Sequence, residues 1–166
     1  MAGRVDQAAL KLLDDHGIPE SLSMMDLQRR LQDITGRDLE YYVASNLEGK
    51  EIHGVWGSDL EQNVDMVYCP PGNPTVQYFI IQHEHGHMIA SPNGSGKNIG
   101  ANPEIVELLG TAIPLGRRLD FTFQHSDFSA EEERLAEMVG AELAVRVLRY
   151  EKGRGKDFQF GRVFER

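Results

Sequence analysis

The apolar residues of this chain change their spacing twice, and that change limits the folds the chain can adopt. Up to Gly36 they recur every three or four residues, as on one face of a helix. Between Leu39 and Cys69 they alternate with polar residues in short runs, which indicates strands. After Pro74 the helical spacing returns. Three short strands between helical regions predict an α+β fold with a small antiparallel meander.

Signals for helix ends divide these regions into elements. Ser23, Asn73 and Ser129 can cap free backbone amides at the start of a helix. Gly17 and Gly36 can end a helix, because glycine readily adopts the left-handed conformation found there. The predicted helices span residues 5–16, 24–35, 74–90, 103–110 and 130–150, and the predicted strands span residues 39–44, 52–56 and 64–69.

Composition excludes several classes of function. The net charge of −9 argues against direct binding to nucleic acid or to an anionic membrane surface. The apolar runs are too short for a membrane span, and the N-terminus lacks the apolar core of a signal peptide. The single cysteine, Cys69, excludes an intramolecular disulfide and is expected to be a small buried hydrophobe. We expect a cytoplasmic protein with one domain over residues 1–166, in which 153–166 form a flexible or docking tail.

A histidine-rich segment in the third predicted helix carries the clearest chemical signal. It reads His83-Glu84-His85-Gly86-His87 and contains the spacing His-Glu-x-x-His. Residues four apart lie on one helical face, about 5–6 Å between Cβ atoms, so His83 and His87 can bind one ion. Glu84 then lies beside that ion, where it can accept a proton from water. The spacing predicts a Zn2+ site with two histidine ligands and a glutamate base, against the alternative of a helix whose histidines have no function.

A catalytic zinc requires three protein ligands and an open fourth position, where it lowers the pKa of water to about 7 and polarises a carbonyl. The last predicted helix offers the third ligand, because Glu133 and Glu137 share one face with the small residue Gly140. A small residue there allows a neighbouring helix to approach closely. We expect Glu133 to be the ligand. For Glu131 and Glu132 we expect only a favourable interaction with the helix dipole.

Three further side chains have suitable chemistry. His85 lies between the two predicted ligands on the other side of the helix, so we expect it to be packed or solvated and not a third ligand. His125 precedes the last predicted helix; it can donate to the oxyanion of a transition state or stand on the surface, and we expect the surface. Tyr150 has the chemistry for the oxyanion role but no positional support.

The chain resembles the ImmA/IrrE-type metallopeptidases of bacteria and phages, which are zincins whose third zinc ligand is a glutamate. The resemblance covers most of the chain and includes the aromatic pair Tyr78-Phe79 before His-Glu-x-x-His. In the late helix of that family a pattern like Glu-x-x-Ala carries the ligand, and Glu133 and Ala136 match it. The resemblance therefore also implies that Glu133 is the third ligand. The chain departs from the pattern at His85, Glu137, Val139 and Gly140, where Leu, Asn or Asp, Phe and Ala are usual.

The resemblance implies a zincin-like fold and a zinc-dependent endopeptidase. Family members often act on a cytoplasmic regulatory protein, so the expected substrate is a protein or peptide such as a helix-turn-helix repressor or an antitoxin. The alternative is a weakly active or inactive zincin-fold regulator or toxin that acts by binding its partner. A metallohydrolase of another class, such as an amidase, is a third alternative; the edge of a meander favours a peptide, because it can pair with an extended main chain.

Overall fold

The computed structural model describes residues 6–45, 54–92, 121–123 and 129–154. Within these ranges the secondary structure mixes helices and strands, so the fold is α+β, as the spacing of the apolar residues predicts. No helix in the described ranges has both the length and the apolar composition needed to cross a membrane. In chain order the elements are α1 (Gln7–Asp15), α2 (Met24–Thr35), β1 (Asp38–Val43), β2 (Val55–Asp59), β3 (Val64–Cys69), α3 (Pro74–Ala90), β4 (Phe121–Phe123) and α4 (Ala130–Gly153).

The first two helices begin and end close to where the sequence predicts. The α1 helix begins after Asp6, whose carboxylate caps it, and Gly17 follows its end with a positive φ of 66°. The α2 helix begins after Ser23, whose hydroxyl accepts from the Asp26 amide at 3.0 Å. It ends at Gly36 in the left-handed conformation, which costs glycine little because it has no Cβ. The predicted cap at Ser23 and the predicted helix ends at Gly17 and Gly36 are confirmed, whereas the cap at Asp6 was not predicted.

The sheet is not the predicted antiparallel meander. In the described residues its strand order is β1-β3-β2-β4, and β1 pairs with β3 in parallel, from Asp38 opposite Val64 to Val43 opposite Cys69. The β2 strand runs antiparallel to both β3 and β4. A meander requires β1 and β2 to be neighbours, but β3 lies between them. Only β2 and β3, which a short turn connects, form a hairpin; the longer connection before β2 allows it to lie beyond β3.

The second strand also begins later than predicted. It spans Val55–Asp59 and not residues 52–56, so Ser58, which the polar pattern assigns to a connection, lies buried inside the strand. The Ser58 hydroxyl and the Trp56 ring N–H both donate to the buried carboxylate of Asp65. Because Asp65 accepts hydrogen bonds from both groups, their burial in the sheet costs little. A prediction from alternation alone treats the polar Ser58 as part of a connection and therefore misplaces the strand.

A buried ion pair ties the sheet to the end of α3. Arg37 Nε donates to Asp65 Oδ1 at 2.8 Å, and Arg37 Nη2 donates to the Pro92 carbonyl at 3.1 Å. The Asp65 side chain is fully buried, so loss of its cation would leave an uncompensated charge in the core. The segment that leaves α3 is therefore held against the sheet.

The α3 helix lies in the middle of the described structure. It packs against β3 and α2 on one side and forms its most extensive contact with α4 on the other. Buried residues therefore occur all around α3, and its apolar residues form no single stripe. The core around it includes Leu13, Leu27, Leu31, Trp56, Tyr78, Ile81, Met88, Val139, Leu143 and Val147.

Several predictions fall on parts of the chain outside the described residues. These are the predicted strand residues 52 and 53, the predicted helix at 103–110, and the tail from 155 onwards. The α4 helix itself runs to Gly153, beyond its predicted end at 150. The prediction of one domain over the whole chain remains a prediction.

Candidate metal centre

Local sequence sets the start of α3 and therefore the direction of its side chains. The Asn73 side chain accepts from the Thr75 amide at 2.8 Å, and Pro74 occupies the first helical turn, where its missing N–H removes no hydrogen bond. The helix then continues without interruption to Ala90. This start confirms the predicted signal and keeps His83 and His87 on one helical face.

The structure brings the three predicted metal ligands together. His83 Nε2 lies 3.3 Å from Glu133 Oε2, and His87 Nε2 lies 3.3 Å from Glu133 Oε1. The two imidazole rings are 4.9 Å apart between centroids and nearly perpendicular. Each residue offers one ligand atom, and these atoms all lie within 4.8 Å of one another. The three side chains can therefore hold a metal ion.

The cluster lies at the edge of the interior and is open on one side. His87 is almost fully buried, with 1% of its side chain exposed, whereas His83 and Glu133 are 29% and 33% exposed. A site with three protein ligands and one accessible side is the arrangement that catalytic zinc centres use. The burial therefore leaves room for a further ligand from solvent or substrate.

Two glycines allow the helix contact that brings Glu133 to the histidines. A Cβ on Gly140 would lie 2.5 Å from the Gln82 carbonyl oxygen of α3, and a Cβ on Gly86 would overlap the Ala136 carbonyl oxygen of α4. The two backbones therefore touch where the helices cross, and larger residues would separate them. Sequence reasoning identified Gly140 as a small residue for this contact but missed Gly86.

The start of α4 is fixed by the predicted capping box. The Ser129 hydroxyl accepts from the Glu132 amide at 3.2 Å, and the Glu132 carboxylate accepts from the Ser129 amide at 2.7 Å. Glu131 and Glu132 are exposed in the first turn, as expected of side chains that favour the positive end of the helix dipole. Glu133 is the next residue and lies on the face towards α3, so the capping box fixes the backbone from which its side chain extends.

Glu84, the predicted base, is buried beside the cluster and packs on the backbone that leads into β2. Only 1% of Glu84 is exposed. A Cβ on Gly54 would lie 2.9 Å from Glu84 Oε1 and 2.6 Å from Ile80 Cγ2. A side chain at Gly54 would therefore push the carboxylate aside. Sequence reasoning missed this residue; its only signal is a glycine directly before the apolar start of a strand.

His85 faces away from the cluster and is hydrogen-bonded in the core. Its Nδ1 lies 3.0 Å from Gln82 Oε1 and its Nε2 lies 2.8 Å from the Tyr41 hydroxyl of β1. Gln82 Oε1 can only accept, so Nδ1 carries the hydrogen and Nε2 accepts from Tyr41. The expectation that His85 is packed and is not a ligand is confirmed, and Tyr41 is a partner that the sequence did not indicate.

Burial keeps the His85 ring neutral. Desolvation lowers the pKa of His85 to about 3, because a charged imidazolium would lose its hydration in the core. The same cause raises the pKa of Tyr41 far above its ordinary value, so its hydroxyl keeps the hydrogen that it donates to His85. The histidine between the two predicted ligands therefore adds no positive charge that would repel a cation.

A groove of about 690 Å³ opens beside the cluster between α3 and α4. His83, Glu84 and Glu133 form part of its wall, so any molecule in the groove touches the candidate metal site. Most of the remaining wall is apolar. The other lining residues are Gly54, Val76, Phe79, Ile80, Glu137, Gly140 and Ala141.

The other candidates do not join the site. Tyr150 lies about five turns from Glu133 on the same helix, roughly 25 Å along its axis, which is too far to contact a reacting group at the cluster. His125 lies outside the described residues. Cys69 is buried, and burial raises the pKa of its thiol to about 12, as expected of a small hydrophobe. Comparisons with protein-family models, curated proteins and solved structures find no match for this chain.

Proposed function

We propose that this protein is a zinc-dependent metallopeptidase, with His83, His87 and Glu133 as metal ligands and Glu84 as general base. One observation carries the proposal: two imidazole nitrogens on α3 and one carboxylate on α4 converge on a common point. The convergence joins residues that are distant in sequence, and the spacing His-Glu-x-x-His alone does not require it.

The donor atoms fit a zinc ion. Two histidine nitrogens and one carboxylate make a common set of catalytic zinc ligands. Each histidine nitrogen lies 3.3 Å from a different oxygen of Glu133, and one ligand atom from each of the three residues lies within 4.8 Å of the other two, which is close enough for the three side chains to share one ion. Bound zinc would supply Lewis-acid polarisation of a carbonyl and a lowered pKa for water.

Glu84 is in a position to move protons during hydrolysis. It follows His83 directly in α3 and lines the same groove as His83 and Glu133. In the proposed reaction its carboxylate takes a proton from the attacking water and passes it to the leaving amine. Gly54 keeps the space beside that carboxylate free of a side chain, so Glu84 can occupy its position next to the groove.

A protein or peptide is the proposed substrate. The groove beside the cluster is open and long enough for a side chain next to the reacting bond, which suits an extended peptide better than a small amide. The resemblance to ImmA/IrrE-type metallopeptidases extends the proposal to a regulatory protein, such as a helix-turn-helix repressor or an antitoxin. The chain would then affect transcription through that protein and not by contact with DNA, in line with its net charge of −9.

The first test is metal content and cleavage. Purified wild-type protein should bind about one zinc ion per chain and cleave peptides in a mixed-sequence library, as read by mass spectrometry. Glu84→Gln should keep the zinc and lose at least roughly 100-fold in rate, because it removes the base and leaves the ligands. A wild type that binds no metal would overturn the proposal.

A matched pair of variants distinguishes the loss of a metal ligand from the loss of any negative charge at the start of α4. Glu133→Gln removes the proposed ligand, whereas Glu131→Gln removes an exposed carboxylate from the same first turn. Zinc affinity should fall sharply in Glu133→Gln and stay close to wild type in Glu131→Gln. Metal binding without any cleavage, together with equal partner binding by wild type and Glu84→Gln, would favour the inactive regulator instead.

A further inference from the structure

The groove between α3 and α4 has an apolar wall that folding leaves exposed. Val76 and Phe79 lie on the outer face of α3, where 55% and 50% of their surfaces are accessible. They occupy successive turns before His83, so the wall extends about 10 Å from the metal ligands along α3. Ala141 of α4 and Ile80 of α3 complete this apolar part of the groove. Exposed apolar side chains grouped in a concave site are typical of ligand-binding surfaces.

The opposite wall is acidic. Glu137 lies one turn after Glu133 on α4, is exposed, and lines the same groove. Its carboxylate therefore faces any molecule in the groove and disfavours a negative charge there.

We propose that the groove is a specificity subsite that accepts an apolar peptide side chain next to the reacting bond and rejects an acidic one. The apolar side chain would contact Val76 and Phe79, and Glu137 would disfavour aspartate or glutamate at that position. This inference rests on the proposed function, since the groove selects a substrate only if the reaction takes place at the adjoining cluster.

The occupant is part of the substrate because the groove and the cluster share residues. His83, Glu84 and Glu133 line the groove, so a peptide whose carbonyl reaches the ligands can place its neighbouring side chain in the groove, along α3 or α4. Along α3 that side chain meets Phe79 within one turn of His83. A binding site for an unrelated molecule would not need to begin at the proposed ligands.

Simple hydroxamates test the groove without any knowledge of the natural substrate. Hydroxamates bind zinc directly, so acetohydroxamate reports on the metal alone, and 3-phenylpropionohydroxamate adds one apolar group. With zinc-loaded wild type, the phenyl compound should bind roughly 10- to 100-fold more tightly, the gain expected from burial of an aromatic side chain. Phe79→Ser should remove most of that gain and leave acetohydroxamate affinity unchanged. Leu60→Ser, which changes an exposed apolar residue that does not line the groove, should leave both affinities unchanged.

The acidic wall has its own pair of probes. The monohydroxamate of succinic acid should bind up to about 5-fold more weakly than the compound in which an uncharged amide replaces its carboxylate, because that carboxylate lies near the exposed charge on Glu137. Glu137→Gln should abolish that difference, and Glu131→Gln should retain it.

The outcomes distinguish the two proposals. If zinc-loaded wild type does not bind acetohydroxamate, the metallopeptidase proposal fails and the subsite fails with it. If acetohydroxamate binds but the phenyl group adds no affinity, or if Phe79→Ser weakens both compounds equally, only the subsite is overturned. Val76 and Phe79 are exposed, so substitutions there leave the core intact and their effects report on binding.

Discussion

The two sides of α3 use the same amino acid in opposite ways. On the side towards α4, His83 and His87 approach a carboxylate and leave their Nε2 atoms directed at a common point. On the side towards β1, His85 is fully buried and both of its ring nitrogens are hydrogen-bonded. The three side chains on the first side could hold a metal ion, whereas the ring on the second side uses both of its nitrogens in hydrogen bonds within the core.

Burial alone does not explain this difference, because His87 and His85 are both almost completely buried. The neighbouring element decides it. The α4 helix offers an anionic side chain, Glu133, whereas β1 offers a neutral hydroxyl, Tyr41. A cation is therefore favoured on one side of the helix, and a neutral hydrogen-bonded ring on the other. Substitutions on both sides of the helix test this difference.

The largest effect is expected where α3 and α4 touch. Gly86→Ala should lower the free energy of unfolding by about 3 kcal/mol and greatly weaken zinc binding, because the added Cβ overlaps the Ala136 carbonyl and separates the helices. Gly153→Ala is the matched control, since a Cβ there meets nothing within 4 Å. Urea unfolding and zinc titration measure both effects. A Gly86→Ala protein with normal stability and normal zinc affinity would show that the close approach is not required.

The next variants compare the two sides directly. His87→Ala should weaken zinc binding by roughly 100-fold or more, because the loss of a ligand costs at least as much as the loss of a supporting group. His85→Leu should change zinc affinity by only a few-fold, since this ring faces β1. Competition with a chelating dye would measure both affinities. Equal losses of zinc affinity in the two variants would contradict the assignment of separate roles.

A smaller effect is expected within the His85 network itself. His85→Leu should cost about 1–3 kcal/mol of folding free energy, because it leaves the buried Tyr41 hydroxyl and Gln82 oxygen without their partner. In the His85→Leu background, Tyr41→Phe should then lower the folding free energy by close to nothing, whereas in the wild type it should lower it by about 1 kcal/mol. A double-mutant cycle by urea unfolding gives the coupling. Strictly additive costs would mean that the hydrogen bond contributes nothing measurable.

The neutral His85 ring also predicts a dependence of stability on pH. The pKa of His85 is about 3 in the folded protein and about 6.5 in an unfolded chain, so between these values only the unfolded state binds the proton. Stability contributed by neutral His85 is therefore present above pH 6.5 and is lost as the pH falls, by at most about 1.4 kcal/mol per pH unit. Urea unfolding in EDTA from pH 7 to pH 4 should show a shallower loss for His85→Leu than for wild type. Identical slopes would contradict the buried neutral ring.

Much of the site could be predicted because its signals are local. Helix caps such as Ser23, Asn73 and Ser129 act on amides two or three residues away, so the sequence near each cap contains the whole interaction. The same holds for His83 and His87, whose separation follows from the helical repeat. The prediction of Glu133 as a ligand was less direct: it depended on a helical face that includes a small residue and on the resemblance to a family pattern.

The errors and omissions concern contacts between distant segments. The strand order was wrong because pairing of β1 with β3 depends on the path of the chain between β1 and β2, which residue alternation does not describe. Gly54 and Tyr41 were missed because each matters only through a side chain on α3. Their own neighbours in sequence do not show which side chain of α3 each of them contacts.

The amino-acid sequence alone is enough to predict a helix with two histidines one turn apart, a glutamate beside them, and a capped helix far downstream. These properties follow from hydrogen bonds within single helices, which depend on residues close together in the chain. The contact of Glu133 with both rings and the turn of His85 towards β1 follow from the packing of distant segments. The first depends on how closely α3 and α4 approach, which Gly86 and Gly140 allow by touching the opposite backbone. The second depends on β1, whose Tyr41 hydroxyl is hydrogen-bonded to the His85 ring.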